Sequence, residues 1–242
     1  MNLLQTKPTL KLDWCSHKAA KYAVKHWHYS KSLPTPPLVK IGAWEDGKYI
    51  GCVIFSRGAT DNLGSPYGLK NTEVCELTRV ALTDHQWPVT RILAIAVKMM
   101  TSHNPGLRLI VSFADANQGH IGGIYQASNY IYAGQTSASS KFKDSTGRIW
   151  HGRQVSSSGV KRQYGTLRAV PKIADCQRIP ELPKYRYLLP LDNAMRLQLA
   201  PLAKPYPKRI CAASIDSDAP GFQPEEGGAD PTAALKLTDT SY

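Results

Sequence analysis

Between Ser16 and Gly134 the apolar positions alternate between helical and strand-like spacing, and each change marks an element. Ala20, Ala23, Val24 and Trp27 form an apolar stripe at helical spacing, with Lys18, Lys21, Lys25 and His28 on another face. Ser16 is a helix-capping residue type, and the prolines of YSKSLPTPP forbid continuation, which predicts a helix from Ser16 to about Tyr29. Apolar runs at Leu38–Trp44 and Tyr49–Phe55 flank Asp46-Gly47, a tight hairpin signal. A Gly/Pro/Asn-rich loop, 58–71, leads to a strand at Val74–Leu82. After a loop with Pro88, a helix from about Thr90 to Ser102 is apolar on most sides and is expected to be buried. Asn104-Pro105-Gly106 stops it, and a continuous apolar strand, Leu107–Ala114, follows.

That strand ends abruptly at Asp115. A turn carrying Gly119, Gly122 and Gly123 leads into a short helix with Tyr125, and Asn129 falls where this helix must end, a position that tolerates the left-handed conformation. A last strand is read at Tyr130–Ala133. The order α, hairpin, β, α, β, α, β predicts an α+β protein, a mixed sheet with flanking helices. The buried crossover helix makes the 74–82 and 107–114 strands parallel. Residues 180–209 are proline-rich and read as an irregular extension wrapping the domain. Residues 211–242 are acidic and nearly free of large apolar groups, and disorder is expected there. The organisation drawn from this is a catalytic domain at 1–170, an extension at 171–210 and a tail at 211–242.

Charge changes the picture more than composition does. The chain carries 30 Lys+Arg against 18 Asp+Glu, a net +12, and six acids and one lysine in 211–242 make that segment −5, which leaves +17 for the rest. A body so basic points to a polyanionic partner. The run 141–168 holds Lys141, Lys143, Arg148, Arg153, Lys161, Arg162 and Arg168 against the single acid Asp144, with Phe142, Trp150 and Tyr164 interleaved. It suits phosphate contacts with rings that stack on bases. The five cysteines are dispersed without a C-x-x-C pair, against a zinc ribbon or a disulfide scaffold. No signal peptide is read at the start, and the longest wholly apolar run, Ile92–Val97, is far too short to cross a bilayer. A cytosolic protein without membrane partners is expected.

HWHYSKSLP (26–34), ELTRVAL (76–82) and FADANQGHIGGIYQASNYIYAG (113–134) resemble the phage Mom family, within the GNAT acyltransferase fold, over roughly residues 10–170. The resemblance implies a host-cytoplasmic enzyme that turns the exocyclic amino group of adenine in phage DNA into a carbamoylmethylamino group and so evades restriction. It implies acetyl-CoA or a related acyl-CoA as donor, with iron as a further cofactor. One departure stands out. GNAT enzymes seat the CoA pyrophosphate on a Q/R-x-x-G-x-G/A turn, and the matching stretch here, Asp84 to Thr90, has no glycine. The N–H groups opening the following helix remain to hold an anion.

The candidate catalytic residues are Asp115, Tyr125, Ser112 and Arg79. Asp115 stands at the carboxyl end of a strand, where open α/β sheets bind ligands, and can accept a proton from an attacking amine or simply cap its turn. A phenol at Tyr125 can act as general acid, or can pack with Ile121 and Ile124. Arg79 shares an apolar strand with Glu76, so the two either pair or face the cleft. The donor is assigned to Val80, Leu82, Thr90, Arg91, Asn117 and Tyr125. DNA contacts are assigned to His26, Tyr29, Ser30, Lys141, Lys143, Arg148, Trp150, Arg153, Lys161 and Arg162, and a metal to His26 and His28. An adenine amine is paired inside a duplex, so the base is expected to be flipped out. Two competing readings are an acyl-CoA N-acyltransferase acting on a protein or small-molecule amine, and a catalytically inert DNA-binding module. The absence of a D/N-P-P-Y/F motif argues against an amino-methyltransferase.

Overall fold

A computed structural model describes residues 7–58, 62–163 and 165–208. The expected disorder of 211–242 and the stacking assigned to Tyr164 lie outside the described residues.

The chain opens with β1 (Leu10–Trp14) and α1 (His17–Trp27), whose cap Ser16 accepts from the Ala19 N–H at 3.1 Å. β2 (Leu38–Glu45) and β3 (Lys48–Ser56) form the hairpin, with Asp46 and Gly47 both at positive φ, as a tight hairpin turn demands. β4 (Val74–Leu82), α2 (Val89–His103) and β5 (Leu109–Ala114) make the crossover unit, and β4 and β5 are parallel as expected. α3 (Gly123–Gln126) and β6 (Ile131–Gln135) follow, with Asn129 in the left-handed region between them. β7 (Ser139–Lys143), β8 (Ile149–His151), β9 (Val160–Gln163), β10 (Thr166–Ala169) and β11 (Gln177–Glu181) form two small sheets, and β12 (Tyr185–Pro190) and α4 (Asn193–Leu199) close the described chain.

The main sheet has the order β1-β2-β3-β4-β5-β12-β6. Alternation along its strands sets what each face buries. Val53, Phe55, Leu77 and Ile110 pack against Ile92, Leu93 and Ala96 of α2. Their neighbours Cys52, Ile54 and Ala81 meet Ala20, Ala23 and Val24 of α1, and Leu109, Val111 and Leu188 meet Met195 and Leu199 of α4. α1 and α4 therefore cover the face opposite α2. Each large aliphatic side chain fully buried this way contributes about 1.5–3 kcal/mol.

Two findings differ from the sequence reading. The proline-rich stretch 180–209 is not simply an irregular wrap, and the boundary at 170 does not bound the sheet. β12 enters between β5 and β6, antiparallel to both, in register from Tyr185↔Ala114 to Pro190↔Leu109. YRYLLP is an ordinary strand sequence, and its proline is confined to the strand end, where a missing N–H is tolerated. Arg108 then locks the return: its guanidinium donates to both Asp192 oxygens at 2.8 and 3.2 Å, while Asp192 caps α4 by accepting from Met195 N at 2.7 Å. The second finding is β1, which pairs along β2 and was not anticipated.

The sheet also has a gap. The β4–β5 ladder stops at Leu77↔Ser112, while β4 runs on to Leu82. Thr78 is extra where β4 pairs β3, since Leu77 faces Phe55 and Arg79 faces Ile54. This bulge turns the end of β4 away from β5.

Candidate active site

The gap between β4 and β5 collects most of the chemistry. Asp115, directly after β5, is buried and caps a one-turn helix: Oδ1 accepts from Asn117 N at 3.1 Å and from Asn117 Nδ2 at 3.0 Å. The capping reading of Asp115 is thus observed. No hydrogen bond among the described residues goes to Oδ2. Asn117, assigned to the donor, instead spends its side chain on this acid and on Leu182, whose N–H donates to Asn117 Oδ1 at 3.0 Å.

Tyr125 is buried, with its ring 5.4 Å from Tyr130 and 5.3 Å from Tyr187. Burial, then the neighbouring Tyr29 and Glu76, push its phenol above the ordinary tyrosine value, opposed by the nearby Ser112 hydroxyl and by Arg79. The phenol is thus held protonated through neutral pH. Ser112 is fully buried, and neither its hydroxyl nor that of Tyr130 has a hydrogen-bond partner among the described residues. Gly122 explains how Tyr187 enters this cluster: φ is +83, and any side chain there would meet the Tyr187 ring. The Tyr187 hydroxyl donates to the Ile121 carbonyl and accepts from Gln126 Nε2 at 3.0 Å.

Arg79 enters from β4. Its guanidinium donates to the carbonyls of Thr78 at 2.7 Å and Ser32 at 3.4 Å. Burial lowers its pKa, with Tyr29, Glu76 and Tyr125 acting against that. The end of α1 supplies the outer wall. His28 Nδ1 accepts from Ser30 N at 3.1 Å, which puts the remaining ring proton on Nε2. Burial, Arg79, His120 and Lys31 hold this histidine down at about 4. Tyr29, partly exposed, lies 4.3 Å from the His28 ring and 5.3 Å, edge-on, from His120, and both burial and the Asp115 charge raise its pKa. His120 was passed over in the sequence. Its one available signal is its place in the glycine-rich turn, five residues after the acid.

The metal assignment does not fit. The His28 nitrogen Nδ1 is occupied, the His26 ring stacks at 4.3 Å on Tyr22, and no group of three potential ligands occurs among the described residues. Two amides just ahead of α2 are already taken. Glu45, buried at the end of β2, accepts from Gln86 N at 2.9 and 3.0 Å and from Trp87 N at 2.8 Å, using both carboxylate oxygens. With that carboxylate in place, a CoA diphosphate does not fit on these two amides. In the first turn of α2, the Arg91 amide is bonded to Pro88 O at 2.9 Å. Val80 and Leu82 do line the α2 side of the widening β4 end.

The basic run is partly self-engaged. Lys141 pairs with Glu181 at 2.6 Å, and Lys161 donates to the Arg153 carbonyl. Trp150 donates to Asp144 at 2.7 Å and carries the Arg148 guanidinium 4.0 Å over its ring, so its stacking face is already used. Lys143, Arg148, Arg153 and Arg162 are exposed, as phosphate contacts require.

A model of the Mom protein family matches residues 9–208. Methylcarbamoylase mom of Escherichia phage Mu is 26% identical over 208 residues, covering 82% of this chain and 84% of that protein. Among solved structures, a putative acetyltransferase from Acinetobacter baylyi aligns at TM-score 0.44 with 11% identity, covering 78% of this chain and 96% of the other. FeeM, an N-acyl amino acid synthase from uncultured soil microbes, aligns at 0.42 with 12% identity, covering 80% and 97%.

Proposed function

The chain belongs to the Mom protein family, and on that premise we propose that it is a phage DNA-modifying transferase that converts the exocyclic amino group of adenine to a carbamoylmethylamino group and shields the DNA from host restriction. The observation that carries this is the extent of the family match. Residues 9–208 take in the Asp115 gap and the basic small sheets together, so the acceptor site and the polyanion surface belong to one family unit.

The residues divide the work as follows. A flipped adenine stacks against the Tyr29–His120 pair, with its amine toward Asp115. As N6 attacks the methylene carbon of a donor that carries a carbamoylmethyl group on a leaving group, the Asp115 carboxylate takes the amine proton. The bond from that carbon to its leaving group breaks, and the Tyr125 phenol, kept protonated by burial, supplies the leaving group's proton. Arg79 holds the polar end of the transferred group. The new bond joins N6 to a methylene carbon, which separates this reaction from plain acyl transfer, whose product is an amide. The donor reaches the gap along Val80 and Leu82. Because Glu45 holds the Gln86 and Trp87 amides beyond them, a donor built on CoA would carry the carbamoylmethyl group on its sulfur, with the thiol as leaving group, and would place its diphosphate off these two amides.

Plasmid DNA from cells making the protein tests the reading. It should resist restriction enzymes whose sites contain adenine, and the same plasmid from cells making Asp115→Asn should be cut. Full cutting in both, with an acylated protein or small amine as product, would instead favour an ordinary N-acyltransferase.

A further inference from the structure

Away from the gap, the β11-β7-β8 sheet holds a cavity of about 440 Å³, lined among others by Ser140, His151, Arg153, Arg178, Glu181 and Lys184. We propose that this cavity binds a backbone phosphate of the DNA strand carrying the target adenine, and that it sets the position of that strand relative to Asp115. The inference rests on the DNA reading above and adds a defined subsite to it. Arg178, Lys184 and His151 had no assigned role.

The cavity is a cationic site. Its one acid, Glu181, is neutralised in place by Lys141 at 2.6 Å and by the Ser139 hydroxyl at 3.0 Å. Burial and the charges of Lys141, Arg153 and Lys184 depress the His151 imidazole, with Glu181 working against them, as expected where the local potential is positive. Arg178 is pre-set. Its Nε donates to Ser140 Oγ at 2.8 Å, which fixes the plane of the guanidinium and leaves the terminal nitrogens to grip two oxygens of one phosphate. Lys184 is pinned through its backbone: its N–H donates to Thr136 Oγ1 at 3.0 Å, and its carbonyl accepts from Thr136 N at 2.9 Å. The exposed cations Lys143, Arg148 and Arg162 on the same small sheets favour an extended polyanion over a small isolated anion.

What ties the cavity to the chemistry is Asn117. One end of its side chain holds Asp115 at 3.0 Å, and the other accepts the N–H of Leu182 at 3.0 Å. Leu182 lies between Glu181 and Lys184, two of the lining residues. A single side chain therefore joins the proposed base to the strand linker that carries the cavity. A phosphate bound there stands at a fixed offset from the acid, which is the condition for presenting one flipped nucleotide in one pose.

The test is a fluorescence-anisotropy titration of a labelled duplex at several salt concentrations, with wild-type protein and Arg178→Gln/Lys184→Gln. Each phosphate contact contributes about 0.9 to the slope of log affinity against log salt. The double variant should bind several-fold more weakly at low salt, with a slope shallower by about 0.9 if both residues grip one phosphate. If the double variant melts early, Lys184→Gln alone should shift affinity in the same direction. A wild type that binds DNA and a folded variant with unchanged affinity and slope would overturn the cavity while leaving the DNA reading intact, and would be the outcome if the cavity served a donor phosphate. A wild type that binds no DNA would overturn both.

Discussion

Two turns at the carboxyl ends of neighbouring parallel strands use a carboxylate in opposite ways. After β5, Asp115 caps its own turn with Oδ1 alone. After β4, Glu45 arrives from β2 and spends both oxygens on the Gln86 and Trp87 amides. The chemical pairing, an acid on backbone N–H groups, is the same. The number of oxygens committed differs, and under the proposed function that difference separates a proton acceptor from a structural clasp. On the proposed reading the first is the acceptor side of the gap and the second the donor side, where Glu45 holds these two amides.

The contrast is broken or sharpened by substitutions that remove the charge at Asp115 while keeping its cap and remove the clasp at Glu45 outright. Asp115→Asn should cost the most activity, on the order of 10²-fold in modification. Its thermal stability should stay near wild type, because asparagine caps as well as aspartate. Tyr125→Phe should lower modification by roughly tenfold or more through loss of the proton donor, read by the same product assay with the melting curve as control. Glu45→Ala should do the reverse. It leaves two amides unpaired and should cost about 1–3 kcal/mol of stability, measured by denaturant unfolding. Equal stability losses in the Asp115 and Glu45 variants would break the contrast. Gly122→Ala should destabilise by about 1–3 kcal/mol through its positive φ, together with the clash on Tyr187, and should disorder the ring cluster around Tyr125.

The smallest effect concerns His28. Its folded value of about 4 lies below the ordinary 6.5, so the unfolded chain takes up the proton first. The stability it supports is present above about 6.5 and is lost as pH falls toward 4. Wild type should therefore lose more stability between pH 7 and 5 than His28→Gln, compared by denaturant melts at the two values.

Much of this was legible in the sequence. The apolar periods located α1, the hairpin, β4, α2 and β5, because each buries one face or both against a neighbour close in the chain. Asp115 and Tyr125 were visible for the same reason, as polar groups at the end of a buried run. β12 was not, because its partners β5 and β6 lie far back in the chain and flanking prolines mask a six-residue strand. The resemblance noticed in the sequence stopped near 170 for that reason, whereas the family match runs to 208. The Glu45 clasp and the Asn117 link were equally hidden. Each joins residues about 40 or 65 positions apart by a side chain, and no local pattern records such a pairing. His120 was hidden in a different way: it needed Tyr29 beside it to acquire a role.

The most direct measurement is a nucleoside digest, analysed by mass spectrometry, of DNA from cells making the wild-type protein and Asp115→Asn. Deoxyadenosine carrying a carbamoylmethyl group on N6 should appear with the wild type and be absent or strongly reduced with the variant. Unmodified deoxyadenosine in both, or an N6-acetyl product, would contradict the proposal.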